Sequence, residues 1–156
     1  MGTEIERKFR IRSNAWRAEV THSHHIQQGY LATGPPTAIR VRIVDNQAIL
    51  NIKKATVAIQ RSEFEYPIPL EDGQTILDTL CTGHLIVKTR HYVPMGTHTW
   101  EIDEFEGVNA GLIVTEIELQ HPDEAIPSPP WLGDEVSHDP RYLNTCLTIT
   151  PYSAWR

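Results

Sequence analysis

Eight stretches of this chain alternate strictly between apolar and polar residues, and a period of two restricts it to a protein built mainly from strands. They run over Thr3–Ile11, Ile26–Ala32, Thr37–Asp45, Ala48–Lys54, Ile59–Ile68, Leu85–Val93, Thr97–Phe105 and Leu112–Gln120. Turn residues separate several of them: Gly34-Pro35-Pro36, a tight Asp45-Asn46, Met95-Gly96, and Gly107, Asn109 and Gly111. Helical spacing is scarce. Ser13 is placed to cap a short helix through Val20. Glu71–Cys81 carries Ile76, Leu77 and Leu80 at helical spacing, with Gly83 as its stop. Pro140–Leu147 reads as another short helix, capped by Asp139 with Pro140 in first position. The expected class is therefore α+β, mainly β: an antiparallel sheet of eight strands with a few flanking helices. Eight strands are enough to close into a barrel.

The polar face of these stretches is unusual. An ordinary half-buried strand turns scattered polar residues outward. Here the positions are ionised almost throughout. Glu4, Glu6 and Lys8 share one face of the first stretch, and Arg40 and Arg42 flank Val41 in the third. Asn51 and Lys53 oppose Leu50 and Ile52, and Arg61, Glu63 and Glu65 alternate with Phe64 and Tyr66. Lys88 and Arg90 share a face, as do Glu101 with Asp103 and Glu116 with Glu118. One periodicity thus generates eight carboxylates in four pairs and seven cations.

A solvated face with cross-strand ion pairs explains any single pair. It does not explain the set, because the opposite face is rich in Ile, Val, Phe, Tyr and Trp and is suited to pack under helices. A closed barrel with its charges turned inward fits both faces. Ionised groups packed in a lumen are costly unless partners or bound ions neutralise them. Such a lumen makes sense as a ligand site, with carboxylates for hard divalent cations and Arg and Lys for phosphate oxygens.

Composition narrows the partners. The 156 residues suit one domain, expected over 1–156 with 148–156 as a tail. Twenty acidic against 14 basic residues give a net charge of -6, which argues against a nucleic acid duplex. No apolar run approaches the roughly 20 residues of a membrane span. The charged start, Met1 to Phe9, is unlike a signal peptide, and Cys81 and Cys146 are far apart with no CxxC, so a cytoplasmic protein with reduced thiols is expected. His22, His24 and His25 are expected in a solvated loop, because hard cations prefer oxygen. Trp100, Trp131 and Trp155 are read as packing residues, and Tyr30 either packs or lines the lumen.

Glu4-Ile5-Glu6-Arg7-Lys8-Phe9 resembles the N-terminal E-x-E-x-K signature of the CYTH, or triphosphate tunnel metalloenzyme, superfamily. The likeness continues in order through Gln28-Gly29-Tyr30-Leu31, Ile39-Arg40-Val41-Arg42, Ile52-Lys53, Arg61-Ser62-Glu63-Phe64-Glu65-Tyr66, Lys88-Thr89-Arg90-His91-Tyr92, Trp100-Glu101-Ile102-Asp103, Glu116-Ile117-Glu118-Leu119 and Asp139-Pro140-Arg141-Tyr142. Within the superfamily the chain looks most like the short bacterial inorganic triphosphatases. The resemblance implies an eight-stranded tunnel acting on a small-molecule triphosphate with Mg²⁺ or Mn²⁺. By motif it implies Glu4, Glu6, Glu116 and Glu118 as metal ligands, with Glu63, Glu65, Glu101 and Asp103 completing the acidic side and holding or orienting a second metal and a water. It assigns phosphate binding to Lys8, Arg40, Arg42, Lys53, Arg61, Lys88 and Arg90.

The catalytic candidates are Glu63 and Glu65 near the attacking water, Lys88 at the leaving pyrophosphate, and Lys8. The expected activity is metal-dependent hydrolysis of tripolyphosphate. Alternatives are a class IV type adenylyl cyclase, a hydrolase of thiamine or nucleoside triphosphate, and, as a different class, a non-catalytic polyphosphate binder. Whether the chain forms a homodimer is left open.

Overall fold

In the computed structural model, which describes residues 3–55 and 58–155, nine strands form one antiparallel sheet. They are β1 (Thr3–Ile11), β2 (His22–Ala32), β3 (Thr37–Val44), β4 (Gln47–Lys54), β5 (Gln60–Ile68), β6 (Thr82–Met95), β7 (His98–Phe105), β8 (Ile113–Glu118) and β9 (Leu132–Glu135). The order β5-β4-β3-β2-β6-β7-β8-β1 closes when β1 returns to β5, so eight strands make the expected barrel. The closing seam is short. β1 and β5 match only Thr3 with Ser62, Glu4 with Arg61 and Ile5 with Gln60. The Glu6 N–H then donates to the Ile59 carbonyl at 2.9 Å. Beyond that point β9 takes over the same edge of β1, opposite Phe9 and Ile11.

The apolar faces point outward and are covered, as the alternation requires. Phe9, Val93, Trp100, Ile102 and Ile117 lie under Trp16, Trp131 and Leu132. On the other flank helix α1 (Leu70–Thr79) sets Leu77 against Val41, Ile43 and Ala48. A third cluster is different. Ile86, Phe105 and Val114 share the inner faces of their strands with Lys88, Asp103 and Glu116. They pack with Leu112 against Tyr142 and Leu147. These last two belong to a 3-10 turn (Pro140–Tyr142) and the short helix α2 (Asn144–Leu147), which together plug one end of the barrel.

Several expectations are corrected. His22, His24 and His25 lie in β2 rather than in a loop, because β2 pairs with β6 from His22 opposite Tyr92 onward. His22 stacks on Tyr92 with ring centroids 4.4 Å apart, and His24 Nδ1 is 3.0 Å from Asp45 Oδ2. The first expected helix is a 3-10 turn, Ala15–Glu19, pinned by fully buried Trp16. Gly83 does not stop α1. It sits within β6 at φ +70, where an added Cβ would lie 2.6 Å from the Thr148 carbonyl oxygen. The expected Pro140–Leu147 helix is broken in two at Leu143, although Asp139 caps it by accepting the Arg141 N–H.

β9 was not foreseen. Residues 148–155 pack rather than trail: His84 N–H donates to the Thr148 carbonyl, and Trp155 meets Tyr142 edge-on at 5.1 Å. Trp100 and Trp131 are core residues, as expected, and Tyr30 is both buried and on the lumen wall. No helix among the described residues is long and apolar enough to cross a membrane.

Candidate active site

Alternation along the seven charged strands turns one row of side chains from each into a central cavity of about 200 Å³. Thirteen of the fifteen charged residues picked out by periodicity line it: Glu4, Glu6, Lys8, Arg40, Arg42, Lys53, Arg61, Glu63, Glu65, Arg90, Glu101, Glu116 and Glu118. The two that do not are Lys88 and Asp103.

The wall at the β1–β5 seam is internally paired. Arg61 Nη2 donates to Glu4 Oε1 at 3.0 Å and to Glu6 Oε1 at 2.6 Å. Lys53 Nζ lies 3.5 Å from Glu4 and 3.4 Å from Glu63. Asn51 donates its amide to Glu63 Oε2 at 3.0 Å. Across β1, Lys8 Nζ lies 3.5 Å from Glu116 and donates to the Tyr142 carbonyl at 2.9 Å.

Negative charge still outweighs its partners here. Burial, then Glu116 and Glu4, push the Glu6 carboxyl well above the usual carboxylate range. Against the cost of burial, Lys8, Arg90 and Lys88 hold Glu116 well below the usual carboxylate range. Burial and the neighbouring Glu4, Glu63 and Glu65 raise Glu118.

The β3 wall is the opposite case. Arg40 and Arg42 point into the cavity, and among the described residues neither is ion-paired. Arg40 Nε is buried with no hydrogen-bond partner. Arg42 Nε donates to Gln28 Oε1 at 2.9 Å. Burial, with Arg40 and Arg90 close by, lowers the Arg42 guanidinium to about 10, still fully charged at neutral pH.

Behind the lumen lies a third group. Arg90 grips Asp103 through Nε at 2.7 Å and Nη2 at 2.9 Å, and Lys88 Nζ donates to the same carboxylate at 2.8 Å. Arg90 and Lys88 hold Asp103 down to about 2 despite its burial. Lys88 is fully buried and also meets Asn144 Oδ1 at 3.4 Å. Two expectations change as a result. Asp103 has both oxygens committed to cations rather than offered to a metal, and Lys88 is behind the wall where a leaving group would sit. The inner-face parity was read correctly, but depth along the barrel is not visible in it.

The structure also adds wall residues that periodicity did not mark as functional. Leu143, Asn144 and Thr145 enter the cavity from the plug, alongside Lys54, Ala38 and Ala55. Nothing local in 143–145 signals this; their position depends on where the plug docks. Asn51 was on the charged face and could have been marked.

A divalent cation fits the seam wall by the chemistry of its donors. Glu4, Glu6, Glu116 and Glu118 offer only oxygen, which hard cations prefer. Burial first, and then their crowding, raises the Glu6 and Glu118 carboxyls. In the arrangement seen, no three metal-binding groups converge among the described residues, and Arg61 sits between Glu4 and Glu6.

A closed antiparallel barrel whose interior sets bare arginines opposite crowded carboxylates defines a tunnel protein for a polyanion and its counter-cations. The chain belongs to the CYTH domain family, which it matches over residues 2–143. It is 37% identical over 156 residues to an inorganic triphosphatase of Acetivibrio thermocellus, covering 100% of this chain and 99% of that one. An inorganic triphosphatase of Nitrosomonas europaea is 31% identical over 153 residues, covering 95% and 98%. Among solved structures, the inorganic triphosphatase NE1496 superposes with a TM-score of 0.69 at 29% identity, covering 96% of each chain.

Proposed function

We propose that this chain hydrolyses inorganic triphosphate to pyrophosphate and orthophosphate inside the barrel, with Mg²⁺ or Mn²⁺ as cofactor. The observation that carries the reading is the unpaired β3 wall, Arg40 and Arg42, facing a carboxylate wall across one small cavity. Relatives named inorganic triphosphatase over nearly the whole chain support it.

Arg40 and Arg42 bind phosphoryl oxygens, and Lys8, Lys53, Arg61 and Arg90 complete the grip once their carboxylate partners are engaged elsewhere. Glu4, Glu6, Glu116 and Glu118 hold the metal, with Glu101 beside them. A bound Mg²⁺ or Mn²⁺ supplies charge neutralisation across neighbouring phosphates and a water of lowered pKa. Glu63, fixed by Asn51, and Glu65 orient the attacking water and accept its proton. Asp103 orients Arg90 and, against burial that lowers the Lys88 ammonium to about 7, helps keep that side chain charged behind the wall. We place the reaction in the cytoplasm, a reading with which the two free thiols, Cys81 and Cys146, are consistent.

The test is phosphate release from tripolyphosphate, ATP and thiamine triphosphate with Mg²⁺, Mn²⁺ or EDTA, with products resolved by chromatography. Fast metal-dependent release from tripolyphosphate and little from the others is expected. Cyclic AMP formed from ATP would replace this reading with the cyclase, and metal-independent binding without turnover would replace it with a polyphosphate binder.

A further inference from the structure

We infer that Gln28 is a positioning residue for substrate binding: it fixes the Arg42 guanidinium through a neutral acceptor, and so leaves that cation's charge available to a polyphosphate. The inference rests on the proposed phosphate-binding role of the lumen.

The lumen arginines are held in two ways. Arg61 and Arg90 are held by carboxylates, Glu4 and Glu6 for one and Asp103 for the other. Arg42 is held by an amide. Gln28 stands directly across from it in the β2–β3 register and is fully buried. The orientation of its amide is determined. Oε1 must face the Arg42 Nε–H, because Nε2 there would set two donors against each other.

That orientation leaves Gln28 Nε2 buried with no acceptor. An orphaned donor of this kind is unfavourable. A glutamate at 28 would remove it and make the stronger, charge-assisted bond. It would also neutralise Arg42, as Asp103 neutralises Arg90. The amide gives up bond strength and a satisfied donor, and what it retains is an arginine that is oriented yet uncompensated. With Nε held, the remaining nitrogens of Arg42 form no other bond among the described residues, and the side chain lines the cavity.

The test compares Gln28→Glu and Gln28→Met with the parent protein. Thermal midpoint, KM and kcat for tripolyphosphate are measured with Mg²⁺, together with tripolyphosphate Kd by titration calorimetry in EDTA, where turnover is suppressed. Gln28→Glu keeps the bond, so its midpoint is expected at or above the parent's, while KM and Kd rise by about tenfold or more with kcat within about threefold. A merely structural glutamine predicts the reverse pattern: Gln28→Glu with the parent's KM, a result that overturns the inference.

Should Gln28→Glu fail to fold, Gln28→Met decides. It keeps the charge of Arg42 but frees the guanidinium, so an intermediate rise in KM and Kd of about threefold to tenfold is expected, and a parental KM and Kd overturn the inference. If the parent binds tripolyphosphate without cleaving it, the hydrolase reading falls while the Kd ratios still judge Gln28. A parent that binds no tripolyphosphate overturns both.

Discussion

The two long walls of the lumen are built from the same residue types and behave differently. At the seam, Arg61 and Lys53 are folded onto Glu4, Glu6 and Glu63. On β3, Arg40 and Arg42 face the cavity and, among the described residues, form no ion pair. The seam is paired from within, though its carboxylates outnumber its cations, and must exchange partners to act: its carboxylates turn to a metal and its cations to phosphate. The β3 wall has nothing to exchange. It is preorganised for an anion, and its cost is borne by the folded state. Opposite charges alone therefore do not mark a binding wall; whether they are already satisfied does.

Chelation is the harshest way to test the division. If the seam is the cation side, EDTA and Glu4→Gln should each lower tripolyphosphate turnover by about a thousandfold or more. Glu4→Gln should also raise the Mg²⁺ concentration needed for half-maximal rate. Parental turnover in EDTA would erase the functional difference between the walls.

Asp103→Asn probes the group behind them. It takes from buried Lys88 and Arg90 the carboxylate they share, leaving Arg90, among the described residues, only Glu101 at 3.4 Å and Glu116 at 3.9 Å, and should cost about 3–5 kcal/mol of stability in urea denaturation. A loss below about 1 kcal/mol would show that neighbouring carboxylates such as Glu116 take over.

Arg40→Ala and Arg61→Ala separate the walls directly. Arg40→Ala removes an unpaired buried charge, so KM should rise about 10- to 100-fold with denaturation stability unchanged or increased. Arg61→Ala strips Glu4 and Glu6 of their partner, so the metal-free protein should lose stability and recover it as Mg²⁺ is added. Equal stability changes in the two variants would refute the distinction.

The outer surface supplies the smallest effect. Arg7 pairs with Glu135 at 2.6 Å across β1 and β9, partly in solvent, and Arg7→Ala should cost under about 1 kcal/mol. The hydrogen bond from Arg7, with burial opposing, holds Glu135 below the usual carboxylate range. Its stabilisation is therefore present above the unfolded pKa and lost as pH falls through the folded one, so the difference between parent and variant should vanish in acid. A difference that persists there would assign the effect to packing.

The barrel was legible because its alternation is long and unbroken. Glu4, Glu6 and Lys8 or Glu116 and Glu118 cannot change face without moving every neighbour. What escaped has short-range causes that alternation does not encode. β9 is four residues with a glycine in second place, and it forms only where β1 offers an edge that β5 has left. Gly133 passes so close there that an added Cβ would lie 2.8 Å from the Arg10 carbonyl oxygen. His22–His25 are polar in sequence, yet become strand because β6 runs long enough to pair with them. Parity placed Lys88 and Asp103 on the correct face, but whether a side chain meets the cavity or the plug depends on tilt and depth. Gln28 lies on the lumen side of β2 without a charge, so the ionic alternation does not mark it.

The seam also bears on when the molecule becomes itself. Glu6 stands opposite Glu118, and β1 as a whole is clasped by β8, β5 and β9, so β1 is made before every strand it pairs with and has no sheet neighbour close to it in sequence. Contacts of such long range form late and slowly. During synthesis β1 must wait, with Ile5 and Phe9 uncovered, until β8 and β9 have been made. The carboxylates that meet across β1 and β8 are brought together in that same late step. A nascent chain therefore has no half-built tunnel in which to hold a cation, and metal binding should report the completion of folding rather than its progress.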